Sequence, residues 1–174
     1  MRAHLALLFM LCVAVEPALA DAPREITPVI HADKPYGQGA FTLLVLKPYD
    51  AELWTDAEKW SMEAPFALTL RYHMGFTGRE IVERARNEMK HVDPSLDDAT
   101  LKLFIDAMIP VFPDVKDGDE ITALYQPNKP VQIFRNGAST GEIDVKGFAA
   151  PFFGIWLSPR TSGPDLRAAL LRLK

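Results

Sequence analysis

The chain has 174 residues, with 19 Lys and Arg against 23 Asp and Glu, a formal charge of −4 when histidine is neutral. Hydrophobic residues make up 48% and charged residues 24%, which excludes collagen-like, low-complexity and wholly disordered chains, because that apolar fraction can offset ordering entropy. The acidic excess argues against nucleic acid as a partner, since non-specific binding needs a basic footprint, and the length suits one domain.

From the N-terminus, Arg2 supplies a short positive start, Leu5 to Val15 an apolar run, and Glu16-Pro17 a break before Ala18-Leu19-Ala20. Small residues one and three places before Asp21 complete the layout of a secretory signal peptide over residues 1–20, cleaved after Ala20. Its apolar run of about 11 residues is well short of the roughly 20 that cross a bilayer as a helix, so no stable membrane insertion is expected after cleavage. The expected address is the periplasm or the exterior of the cell. Cleavage removes Cys12, the one cysteine, and with it thiol nucleophiles, disulfides and thiolate zinc sites.

Residues 21–36, polar and broken by Pro23, Pro28 and Pro35, read as an extended lead-in to a single domain over residues 37–174. Phe41 to Leu46 and Tyr49 to Trp54 fit strands by length and by aromatic and β-branched content. Pro65 to Tyr72 is the clearest strand: Phe66, Leu68, Leu70 and Tyr72 share one face, Ala67, Thr69 and Arg71 the other. Thr77 and Glu80 form a capping box opening an amphipathic helix through Lys90, with Ile81, Val82, Ala85 and Met89 on its apolar side. A second helix is predicted from Ser95 into Phe112, kinked or ended by Pro110. Period two then returns over Glu120 to Gln126 and Pro130 to Arg135. Asn136-Gly137 marks a tight turn into a third short strand at Thr140 to Ile143. Helices over Lys146 to Leu157 and from Ser162-Gly163-Pro164-Asp165 onward close the chain. Strands, two helices, a β-meander and two helices give an α+β fold with a largely antiparallel sheet.

The residues carry little recognisable catalytic chemistry. His31, His73 and His91 are far apart and lack metal-ligand spacing, so no metal is expected. There is no nucleophile elbow, P-loop or dinucleotide fingerprint, and no cofactor is expected. The charges of the first helix, including Arg84 and Glu88, read as a solvated face laced with weak ion pairs. Arg71 is the one charge inside an otherwise uninterrupted strand. Its planar donor fork suits either a salt bridge or the grip of a carboxylate. The aromatic group of Tyr49, Trp54, Trp60, Phe152, Phe153 and Trp156 reads first as core.

Several segments together resemble the chalcone isomerase family, and more closely its bacterial chalcone isomerase-like branch. They are Tyr49-Asp50-Ala51-Glu52-Leu53-Trp54, the strand ending Arg71-Tyr72, the Phe134-Arg135-Asn136-Gly137 turn, the Phe152 to Leu157 helix and Thr161-Ser162-Gly163-Pro164. The resemblance implies an open-faced β-sandwich, a curved antiparallel sheet with helices laid on it and a cleft between. The active plant members cyclise chalcones. Their arginine, threonine, tyrosine, asparagine and late hydroxyl fall here at Gln38, Tyr49, Ile81, Glu88 and Gly154, and none matches. An oxyanion-stabilising site needs donors that Ile81 and Gly154 lack, and Glu88 repels an anion. Fatty-acid-binding members pair a strand arginine with a helix tyrosine, and Arg71 resembles that arginine, with Tyr49 or Tyr72 as the hydroxyl donor.

The expectation is therefore an exported, non-catalytic module that binds a small amphipathic, fatty-acid-like carboxylic acid. Arg71, Tyr49, Tyr72, Gln38 and Glu88 are its ligand-binding residues, with Arg71 facing a hollow between sheet and helices. Two alternatives accompany it. One is an intramolecular lyase or isomerase on another substrate, using Glu88 or Tyr49 as acid and base. The other is an envelope accessory protein whose helix aromatics dock a partner.

Overall fold

A computed structural model describes residues 21–173; the signal peptide expected over residues 1–20, with Cys12, lies outside the described residues. Six strands run in chain order across one antiparallel sheet: β1 (Gly37–Leu43), β2 (Leu46–Trp54), β3 (Phe66–Tyr72), β4 (Glu120–Tyr125), β5 (Val131–Arg135) and β6 (Ala138–Ile143). Helices α1 (Gly78–Val92) and α2 (Asp98–Met108) interrupt the meander after β3. Helices α3 (Ala149–Leu157) and α4 (Pro164–Leu171) follow β6. The result is an α+β, open-faced sandwich.

Alternation along the strands decides which face the helices cover. On β3, Phe66, Leu68, Leu70 and Tyr72 point inward with Ala51 and Leu53 of β2 and Ile121 and Ala123 of β4, and all are buried in the main core. Helix α1 lays Val82, Ala85 and Met89 on that core, against α3. Its start is held as the sequence predicts: Glu80 donates its backbone N–H to Thr77 Oγ1 (3.2 Å), and Thr77 N–H donates to Glu80 Oε2 (2.7 Å). Helix α4 lies over β1, where Gly37 lets the strand approach the Leu170 carbonyl more closely than any Cβ permits.

Three segments depart from the sequence reading. Residues 21–36 are not simply extended: turns occupy residues 24–29, and Ile26 and Ile30, one helical turn apart, pack on Trp54, Ala67 and Leu124. This small second core seals part of the sheet's outer face. Phe41 to Leu46 is not one strand, because the chain reverses at Leu44-Val45 so that Phe41 pairs with Tyr49 and Leu43 with Leu46. No Gly, Asn or Pro marks that reversal, and Leu44 takes a left-handed φ of 56°. Helix α2 begins at Asp98, capped by Asp97, because Ser95 is drawn into a turn on Asp93. By contrast, Asn136 and Gly137 (φ 50° and 81°) form the tight turn between β5 and β6.

Candidate functional site

A cleft of about 320 Å³ opens between the inner face of the sheet and the helices, at the lower end of the range of small-molecule sites. Its floor is Leu68, Leu70 and Tyr72 of β3 with Ile121 and Ala123 of β4. Its walls are Phe41 and Tyr49 of the first hairpin, Ile81 and Ala85 of α1, and Phe152, Ile155 and Trp156 of α3. Aromatic contacts keep the walls in place: Phe41 stacks on Tyr49 at 5.3 Å, Tyr49 tilts against Tyr72 at 5.9 Å, and Trp156 meets the edge of Phe152 at 5.5 Å.

Apart from Glu80 at the start of α1, whose carboxylate accepts from Thr77, the polar groups of the cleft collect in one corner. Helix α1 presents Ile81, Arg84, Ala85 and Glu88 along one stripe, as spacing of three and four residues dictates. Arg84 Nη2 meets Glu88 Oε1 at 2.8 Å, and Ser162 Oγ donates to Glu88 Oε2 at 2.6 Å. Both Glu88 oxygens are thus engaged, on a side chain only 11% exposed. Ser162 is placed by the bend after α3, where Thr161 Oγ1 donates to the Ile155 carbonyl and accepts from Gly163 N–H.

Two tyrosines complete the corner. Trp156 Nε1 donates to Tyr49 Oη at 3.1 Å, so that oxygen is used as an acceptor while its O–H remains available to donate. Burial pushes the Tyr49 hydroxyl up to about 12; the Trp156 bond and the nearby Arg84 charge oppose this, and Glu88 adds to it. Burial, and then the neighbouring Tyr49, raise the Tyr72 hydroxyl well above its ordinary value, and no hydrogen bond from the described residues occupies it. Hydroxyls with such pKa values stay protonated and act as donors rather than bases. The corner offers one guanidinium and two neutral donors above an apolar floor, an arrangement suited to holding the head of an anion whose tail prefers oil.

The residues expected from the sequence separate into two groups. Tyr49, Tyr72 and Glu88 line this cleft together. Arg71 and Gln38 do not; they line a separate, more polar hollow of about 450 Å³ on the opposite face of the sheet, with Asp50, Glu52 and Glu120. The inward-facing Arg71 is corrected by its own strand. Leu70 and Tyr72 face the cleft, so the residue between them faces away. Its side chain is 55% exposed, and its guanidinium meets Glu120 at 2.5 Å. Gln38 follows from the same parity, being paired with Glu52, an outer-face carboxyl raised chiefly by burial. Arg84 and Ser162 were not expected at the site. Arg84 reads as part of a solvated face, although its spacing from Ile81 and Glu88 is the signal that places it on the cleft side. Ser162 reads only as a helix cap. Gly154 packs against Val92 instead of lining the cleft.

Comparison with known proteins gives two findings. The family model described as chalcone isomerase-like matches residues 37–172. Among solved structures, a fatty-acid binding protein of Arabidopsis thaliana superposes with a TM-score of 0.58 at 12% sequence identity, over 90% of each chain. No curated protein sequence matches the chain. At that identity the structural likeness speaks for the fold alone, and it agrees with the open sheet and four helices described above.

Proposed function

The chain belongs to the chalcone isomerase-like family, and from that premise we propose that it is a non-catalytic binding protein for a small amphipathic carboxylic acid. The acid lies in the cleft between sheet and helices, its carboxylate at Arg84, Tyr49 and Tyr72 and its tail over Leu68 and Leu70 toward Phe152. One observation carries this reading: an otherwise apolar cleft whose polar corner holds a guanidinium and two tyrosine hydroxyls with donors to spare. The volume equals roughly ten water molecules at their liquid share, which suits a medium-chain or single-ring acid. The solved fatty-acid binding protein of the same fold is in keeping with such a ligand.

Absence of catalysis is part of the proposal. Glu88, the one carboxylate in the polar corner, is held on both oxygens, and the tyrosines are driven toward their protonated forms. Ile81 stands where the cyclising relatives carry their helix tyrosine. Work outside the cytoplasm is likewise proposed, from the leader-like residues 1–20.

Calorimetric titration of the purified protein with decanoate tests the binding. Arg84→Ala is expected to weaken it tenfold or more, as loss of a charge-assisted bond implies, while Arg71→Ala leaves it unchanged. The reverse pattern would move the site to the outer face and discard the cleft.

A further inference from the structure

The tip of the β1–β2 hairpin carries four consecutive aliphatic residues, Leu43, Leu44, Val45 and Leu46, which are 47%, 92%, 96% and 50% exposed. Nothing in the fold requires this composition. A two-residue reversal with a left-handed position is ordinarily filled by Asn or Gly, yet Leu44 occupies it at φ 56°. Bulky side chains there make the turn harder to form and leave their apolar surface in water.

Three features define what covers that surface. The tip is convex, so its partner must yield to a protruding apolar finger instead of presenting a matched flat face. No charge interrupts the four residues, and the one adjoining cation, Lys47, is paired with Asp50 at 2.8 Å. A strongly acidic partner therefore gains little from this surface. Finally, the tip is continuous with the cleft: Leu43, Phe41 and Pro48 at its base belong to the cleft lining. The exposed Leu44 and Val45 thus follow directly in the chain on a residue of the cleft lining, Leu43.

We propose that this hairpin tip docks the protein on a lipid bilayer, with Leu44 and Val45 seated among the acyl chains and the cleft mouth held at the membrane surface. The docking rests on the tip itself. Its purpose, passage of an amphipathic acid between bilayer and cleft without crossing water, rests on the cleft reading proposed above. The charge-free tip makes the hydrophobic effect the main attraction, so neutral lipid suffices and added salt has little influence.

Flotation with phosphatidylcholine vesicles, with and without phosphatidylglycerol, tests the docking. The comparison is between the wild type and the double variant Leu44→Asn/Val45→Ser. Asn accepts the left-handed turn, and both side chains are outside the core, so the melting temperature is expected to hold. Wild type is expected to float with neutral vesicles at low and high salt, and the variant to partition tenfold less or lower. Wild type remaining with the soluble fraction, or variant floating equally well, overturns the docking. So does a wild-type dimer in sedimentation that the variant disperses, because a second copy then covers the tip. Decanoate titration of both proteins without vesicles separates the two proposals: equal binding leaves the cleft reading intact whatever the vesicles do. Flotation without any decanoate binding supports the docking and overturns the cleft.

Discussion

Glu88→Gln is the substitution that most sharply separates a binding corner from a catalytic one. In the native protein the Glu88 carboxylate neutralises Arg84 at 2.8 Å and opposes any incoming anion. A ligand carboxylate on the far side of the guanidinium would sit about 6 Å from Glu88. At that distance the repulsion is about 3 kcal/mol at an effective dielectric constant of 20, and under 1 kcal/mol in bulk water. The half-exposed Arg84 side chain places the true figure toward the lower end, because solvent screens it. Glutamine keeps an acceptor for Ser162 Oγ at nearly the same volume, so the helix and the bend after α3 retain their geometry. The variant is therefore expected to bind decanoate about three- to thirtyfold more tightly, with a smaller gain in high salt. Calorimetry at two ionic strengths reads both effects. Unchanged or weaker binding in Glu88→Gln would refute the reasoning, since Arg84 would then not be the group that meets the acid.

Three further substitutions probe the surrounding structure. Tyr49→Phe leaves the Trp156 N–H without its acceptor and removes a head-group donor. Chemical unfolding should show a loss of about 1–2 kcal/mol, and decanoate affinity should fall; full affinity in this variant would remove Tyr49 from the site. Gly78→Ala places a Cβ against the Phe112 carbonyl at the start of α1. Such overpacking costs about 1–3 kcal/mol, a drop of roughly 3–10 °C in Tm for a chain of this size, whereas an unchanged Tm would mean that the helix shifts freely. Asp119 accepts from the Asn136 side chain and Arg135 Nη2, each at 2.8 Å, and from Lys116 N–H at 2.9 Å, in that order of effect holding its carboxyl well below the usual 3.8. The stability it contributes is complete above that unfolded value and disappears as pH falls through the folded one. Asp119→Asn should accordingly flatten the loss of stability on acidification below about pH 4; acid unfolding curves of equal slope would contradict it.

The legible parts of the fold were those governed by short-range rules. The alternation of Phe66 to Tyr72, the Thr77 and Glu80 box and the Asn136-Gly137 turn each follow from local chemistry. The hairpin tip escaped because its reversal is imposed by pairing between Phe41 and Tyr49 across an apolar stretch that carries no turn residue. Ile26 and Ile30 escaped because nothing local reveals the apolar patch of Trp54, Ala67 and Leu124 that they cover. For the site, composition drew attention to Arg71 as a lone strand charge. Yet strand parity, already visible in the alternation of Leu70 and Tyr72, assigns it to the outer face, where Glu120 answers it. Arg84 was hidden among the many charges of α1; its spacing from Ile81 marks the stripe it shares, and the packing of that helix over the sheet turns that stripe to the cleft.

The central claim is one of place, that the acid lies between sheet and helices. Decanoic acid labelled with ¹³C along its chain, bound to unlabelled protein and examined by nuclear Overhauser transfer, tests that most directly. Transfer from the methylenes to the ring protons of Phe152 and Tyr72 and the methyl groups of Leu70 is the predicted result. Contacts confined to the Gln38 and Arg71 face, or no bound signal at all, would contradict it.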